Sequence, residues 1–148
     1  MRKVDTIVIH CSAGSQKASA ADIVNYHLKN LKWSRPGYHF IVEPDGKVVD
    51  TWPVARISNG VKGHNEHIIN VCYIGGIDAK GKGVDNRTDA QKAALRLLVS
   101  GLKAKYGIAK VVGHRDFSPD KNGNGIVDPW ERIKECPCFD AITEYRGV

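Results

Sequence analysis

Apolar and polar positions along this chain alternate between short apolar runs and one long helical stripe. Thr6-Ile7-Val8-Ile9 is a brief apolar run and predicts a buried strand ending at His10. Ser12 to Ala18 is small and polar, a loop. From Ala20 to Leu31, apolar residues fall at Ile23, Val24, Leu28 and Leu31, which is helical spacing. Trp33-Ser34-Arg35-Pro36-Gly37 breaks it. Tyr38 to Val42 reads as a strand, Glu43-Pro44-Asp45-Gly46 as a turn, and Val48 to Trp52 as the return strand of a hairpin. Ile57 to Asn70, rich in Gly, Asn and His, reads as a loop. Val71 to Ile77 is a further strand, and Ala79 to Asn86 a further loop.

Thr88-Asp89-Ala90-Gln91 has the capping-box pattern. It opens an amphipathic helix through Ala94, Leu95, Leu98, Val99 and Leu102 that ends near Gly107. Ile108 to Val112 predicts a strand that delivers His114. Phe117 to Pro137 is mostly loop, and Phe139 to Tyr145 a last short helix. Strands interleaved with helices predict an α/β fold, a single domain over 1–148 with a mixed central β-sheet flanked by α-helices. A length of 148 residues fits one core.

Composition narrows the function classes. At 42% hydrophobic and 26% charged residues the chain is globular in type, and no apolar run reaches membrane-spanning length, so no membrane insertion is expected. The first residues run straight into a strand without an apolar leader, so synthesis in the cytoplasm is expected, with any action outside it following release or separate export. The net charge of +6 suits an anionic polymer, but Lys and Arg are scattered rather than striped, and no nucleic-acid partner is expected. A monomer is expected. Of the four cysteines, Cys11 and Cys72 lie in apolar strand patterns, whereas Cys136 and Cys138 lie in a polar, Pro-containing segment.

His10 and His114 each follow an apolar strand, the place where α/β domains carry functional side chains. With a cysteine from the downstream segment they make a His-His-Cys set, an accepted ligand type for catalytic zinc that leaves a fourth position for water. Cys136 and Cys138 are rivals for the third position. His39 alternates with Tyr38 and is expected on the opposite face as a structural residue. His64 and His67 are read as surface histidines near the cleft. Arg115 and Asp116 are read as orienting their loop, with Asp116 also a candidate partner for a ligand histidine.

Six segments carry a family resemblance: Ile7-Val8-Ile9-His10-Cys11-Ser12-Ala13, Gly37-Tyr38-His39-Phe40-Ile41, Lys62-Gly63-His64-Asn65, Val71-Cys72-Tyr73-Ile74-Gly75-Gly76-Ile77-Asp78, Gly113-His114-Arg115-Asp116 and Lys134-Glu135-Cys136-Pro137-Cys138-Phe139-Asp140. In this order, over nearly the whole chain, they resemble the type 2 N-acetylmuramoyl-L-alanine amidases, which include phage lysozyme-type zinc amidases and share their fold with peptidoglycan-recognition proteins. The resemblance implies that His10, His114 and Cys136 bind zinc. It implies that Tyr38 is catalytic and that Lys134 stabilises negative charge beside the metal. The implied substrate is peptidoglycan, cut between N-acetylmuramic acid and L-alanine. A rival implied by the same fold is a non-catalytic peptidoglycan-recognition domain. Members that only bind tend to lack the cysteine, which is present here.

The chain departs from the shortest relatives in an insert at 120–131. Asp120-Lys121-Asn122-Gly123-Asn124-Gly125-Ile126-Val127-Asp128-Pro129-Trp130-Glu131 fits the twelve-residue EF-hand loop: side-chain oxygens at Asp120, Asn122 and Asn124, glycine at Gly125, the Ile126 carbonyl, Asp128 through water, and Glu131. The spacing predicts a structural calcium site, without room for a normal entering helix. Asp128-Pro129-Trp130-Glu131 also reads as a helix start.

Overall fold

The apolar runs pair into one sheet. In the computed structural model, which describes residues 1–148, strand β1 (Thr6–Cys11) lies between β4 (Ile68–Tyr73) and β5 (Lys110–Gly113), parallel to both. β2 (Phe40–Val42) joins the other side of β4 in parallel, and β3 (Val48–Asp50) closes the sheet antiparallel to β2 through the predicted hairpin. The order is β3-β2-β4-β1-β5, a mixed five-stranded sheet. The three inner parallel strands are continuous apolar runs because both faces are covered.

Helix α2 (Asp89–Tyr106) covers one face. Thr88 caps it through Gln91, as its capping box predicts, and Gly107 ends it in the left-handed conformation at φ 66°. Leu95, Val99 and Leu102 are buried at helical spacing and pack with Ile7, Ile9, Val71 and Tyr73. Helix α3 (Ala141–Tyr145), capped by Asp140, adds Phe139, Ala141 and Tyr145 to that layer. The odd-numbered residues of β1 face this core, so Val8 and His10 face the other side.

The second face is covered by α1 (Ala20–Asn25) and by the segment from Arg56 to Asn65. Two expectations change here. The helix predicted to Leu31 is regular only to Asn25 and continues as a π-helical turn over Tyr26–Asn30, so Leu28 and Leu31 stay largely exposed and His27 turns inward. His27 stacks on Trp33 at 4.8 Å, and its Nδ1 accepts the Gly37 amide at 3.1 Å. Ile68 to Asn70, expected in a loop, form the first half of β4. The strand ends at Tyr73 rather than Ile77 because Gly75 and Gly76 take positive φ.

Candidate functional site

β1 and β5 run side by side, so their C-terminal ends bring His10 and His114 together. His10 is the penultimate residue of β1, and His114 follows β5 directly. Their rings meet edge to face with centroids 4.8 Å apart. The segment after the insert then crosses this end of the sheet. The Arg115 amide donates to the Cys136 carbonyl at 2.7 Å, and Tyr73 Oη donates to the Pro137 carbonyl at 2.6 Å. Gly113 permits this approach: a Cβ there would lie 2.6 Å from Pro137 Cδ.

The result is a three-residue cluster. Ligand atoms of His10, His114 and Cys136 all lie within 4.8 Å of one another. Cys138 does not join it, because its backbone turns to φ 72° and its Sγ faces the Gly76 carbonyl at 3.3 Å. Burial pushes the His10 pKa down to about 3, with His114 and Lys134 adding to the shift and a hydrogen bond to Asn70 opposing it. Burial and Lys134 push His114 down to about 4. Both imidazoles are therefore neutral at pH 7, the form a metal ligand requires. Two neutral imidazoles and a sulfur donor are a borderline-soft set, which suits zinc and not magnesium or calcium. The donor chemistry of the cluster thus fits zinc.

Tyr38 stands beside the cluster, its ring centroid 5.0 Å from that of His10, and burial raises its hydroxyl pKa so that it stays protonated. Lys134 is exposed on the wall next to His114. His114 and Lys134 are shared by two adjoining depressions. The larger is a cleft of about 870 Å³ whose walls include Trp33, Asn59, Lys62, His64 and Phe117. The smaller holds Tyr38, Cys11 and Cys136.

His64 lines the cleft with its ring against Phe117, whereas His67 lies outside it, its Nδ1 3.3 Å from the Lys3 carbonyl. His39 is fully buried and outside the three-residue cluster, but it does not face away from Tyr38. β2 starts only at Phe40, so the expected alternation does not apply. Tyr38 packs with Ile41 and Cys72, and His39 joins Ser58 and Asn70 on that same side of the sheet. Asp116 orients its loop as expected: its carboxylate accepts the Gly113 amide at 2.7 Å and caps the turn His114–Phe117, but it is no partner of His10 or His114. The residue that meets His10 is Asn70, whose Oδ1 lies 2.8 Å from His10 Nε2. The only signal for it in the sequence is a lone Asn between apolar residues of what proves to be β4.

The insert folds as a closed loop. Asp120 accepts the amides of Gly123 and Gly125 at 3.1 and 2.8 Å. Glu131, 2% exposed, accepts those of Lys121, Asn122 and Asp128. The side-chain amides of Asn122 and Asn124 both donate to Asp128 Oδ2. No helix enters the loop, and only one 3₁₀ turn, Pro129–Glu131, leaves it. The three carboxylates do not converge as the His-His-Cys set does.

A mixed α/β sheet thus carries a His-His-Cys cluster at parallel strand ends that could hold a metal ion and that reaches a cleft through His114. The sequence profile of the N-acetylmuramoyl-L-alanine amidases matches residues 1–137, and the chain belongs to that family. The endolysin of Escherichia phage T7 is 38% identical over 138 residues, 92% of this chain and 82% of its own. An uncharacterized protein of Haemophilus influenzae is 45% identical over 96 residues, 65% of this chain and 83% of its own. Two solved structures share the fold. The N-acetylmuramoyl-L-alanine amidase LysC from Clostridium intestinale matches with a TM-score of 0.74 at 23% identity, over 97% of this chain and 82% of its own. Bumblebee PGRP-SA matches with a TM-score of 0.70 at 17% identity, over 97% and 81%. No helix is long and apolar enough to cross a membrane.

Proposed function

We propose that this protein is a zinc-dependent N-acetylmuramoyl-L-alanine amidase that hydrolyses the amide between N-acetylmuramic acid and L-alanine in peptidoglycan, acting as a monomer. The observation that carries this reading is the cluster of His10, His114 and Cys136, which reaches the cleft through His114 and the adjoining depression through His114 and Cys136, with Tyr38 and Lys134 beside it. Zinc held by these three residues supplies a Lewis acid and lowers the pKa of bound water to about 7. The protein's own groups do the rest. The cleft takes up the muropeptide and sets the scissile amide over the cluster. The Lys134 ammonium would stabilise the negative charge that gathers on the amide oxygen. The protonated Tyr38 hydroxyl donates a hydrogen bond at the reacting centre.

Digestion of purified peptidoglycan followed by mass spectrometry tests the proposal. An amidase releases stem peptides with a free N-terminal alanine and leaves the glycan strands intact. New reducing sugar ends would make the protein a glycosidase, and bound but unaltered peptidoglycan a recognition domain. Tyr38→Phe and Lys134→Ala should keep zinc and lose on the order of a hundredfold in rate.

We further propose that the 120–131 loop takes one structural calcium ion. Ligand-type residues stand at every EF-hand position of the sequence, and no Lys or Arg pairs with Asp120, Asp128 or Glu131. Binding would replace the loop's internal amide contacts by contacts to the ion and stiffen the approach to Lys134 and Cys136. Calcium titration of the zinc-loaded protein should raise the melting temperature, and Asp120→Ala should abolish the rise. A millimolar titration that moves neither heat nor melting temperature rejects the site.

A further inference from the structure

We infer that Asn70 is a positioning residue that selects the nitrogen His10 offers to the metal, through a chain of hydrogen bonds whose polarity is set by the backbone. This rests on the zinc reading above. The chain starts at Asn70 itself, whose backbone amide donates to His39 Nδ1 at 3.0 Å. A nitrogen that accepts carries no proton, so the neutral His39 ring is protonated at Nε2, which donates to the Arg56 carbonyl at 2.8 Å; Arg2 Nη2, 3.2 Å from the same nitrogen, is itself only a donor and is satisfied by the Ile68 carbonyl at 2.8 Å. Ser58 Oγ, 3.2 Å from the same bare Nδ1, donates to it and keeps its lone pairs free. The Asn70 side-chain amide nitrogen donates to those lone pairs at 2.8 Å and faces Asn65 Oδ1 at 3.5 Å.

The orientation of the Asn70 amide is thereby decided, and its oxygen must face His10. An amide oxygen only accepts, so His10 Nε2 carries the proton and donates across 2.8 Å. The lone pair of the neutral ring then sits on Nδ1, which has no protein hydrogen bond and is left for zinc. His10, Ser58, His39 and Asn70 are all buried, so water does not compete for these bonds. A histidine ligand held this way at its second nitrogen is fixed in tautomer and ring angle and is a better donor.

Gly60 makes room for the arrangement. A Cβ at position 60 would lie 2.2 Å from both Cγ and Oδ1 of Asn70, inside the side chain itself. Residue 60 lines the cleft, so the glycine puts Asn70 between the cleft wall and the ligand histidine. The fold offers no second acceptor to His10 Nε2.

The test measures tautomer and metal affinity separately. Long-range ¹⁵N–¹H spectra of the metal-free full chain should show His10 protonated at Nε2 and His39 likewise. Asn70→Leu should leave His10 as a tautomer mixture and weaken zinc binding, read by competition with a chromophoric chelator, about 10- to 100-fold. Gly60→Ala should do the same from the other side of the contact. Asn70→Asp keeps an acceptor at the same place and should hold zinc within a few-fold of the unaltered protein. A purely structural Asn70 would lower the melting temperature of Asn70→Leu and leave its zinc affinity and the tautomer unchanged, which overturns the inference. His10 protonated at Nδ1 in the unaltered protein overturns it as well, even if both variants fail to fold. If the unaltered chain binds no zinc while His10 is an Nε2–H tautomer, the zinc reading fails and the hydrogen-bond chain stands.

Discussion

Replacing Arg87 by alanine should destabilise the fold by about 3 kcal/mol and loosen the segment that carries Cys136. The Arg87 side chain is 2% exposed and makes two paired contacts. Its Nε and Nη2 reach both oxygens of Asp85 at 2.9 Å, and its Nη1 and Nη2 reach both oxygens of Glu144 at 2.6 and 2.8 Å. The guanidinium also lies over Phe139, 3.4 Å from the ring centroid. Removing one member of a buried ion pair costs about 3–5 kcal/mol when the partner is left dry. Here the side chains of Asp85 and Glu144 are 30% and 36% exposed and can rehydrate, which moves the figure to the low end of that range or below. The lost cation–π contact adds about 1–2 kcal/mol at a desolvated site. A total near 3 kcal/mol lowers the melting temperature by roughly 6–12 °C in a chain of this size. Arg87→Lys keeps the charge but loses both forks, and should fall between the two. Phe139 lies three residues beyond Cys136 and packs near Tyr73 and Tyr145, so zinc affinity should fall with stability in Arg87→Ala. Urea unfolding of the metal-free variants, read against thermal melts, measures the cost. A loss below about 1 kcal/mol for Arg87→Ala would refute the reasoning, since it would mean that the triad is no better than a surface ion pair.

The metal set gives a second prediction: Cys136→Ser should lose most bound zinc by elemental analysis, and Cys138→Ser should keep it. The reverse result would place the ligand two residues downstream. A third concerns pH. Burial holds the His39 pKa near 4 in the folded chain against 6.5 for a free histidine side chain. The unfolded chain therefore binds more protons between these values, so the stability His39 contributes is full above about 6.5 and is lost as pH falls towards 4. The His39 share of the loss in metal-free protein should reach about 3 kcal/mol over that window, on top of the shares of His10 and His114, and His39→Gln should flatten the slope by that share; parallel slopes for the two would remove His39 from the account.

What the chain alone determined was local and periodic. The stripe of Leu95, Val99 and Leu102, the Thr88–Gln91 cap and Gly107 specify α2 because each acts within one or two turns of its own backbone. The apolar runs specify β1 and β5, and the His residues at the C-terminal end of one and just past the other were legible as site candidates for the same reason. Where the pattern was mixed, tertiary packing decided. Ile68 to Asn70 became strand because β1 offered a partner edge, and the helix after Asn25 widened so that His27 could turn inward towards Trp33. Cys136 and Cys138 differ by two positions and were equal on spacing. Only the turn that sends Cys138 towards Gly76 separates them. Asp116 was a candidate partner of a ligand histidine by proximity in sequence, yet its carboxylate is consumed by the amide three residues back. The residue that does reach His10 lies 60 positions away, and it arrives there because the parallel register of β1 and β4 sets Asn70 beside Val8 and Gly60 leaves it space. Hydrogen-bond partners of this kind depend on register and on a missing side chain elsewhere, neither of which is written in the residue's own neighbourhood.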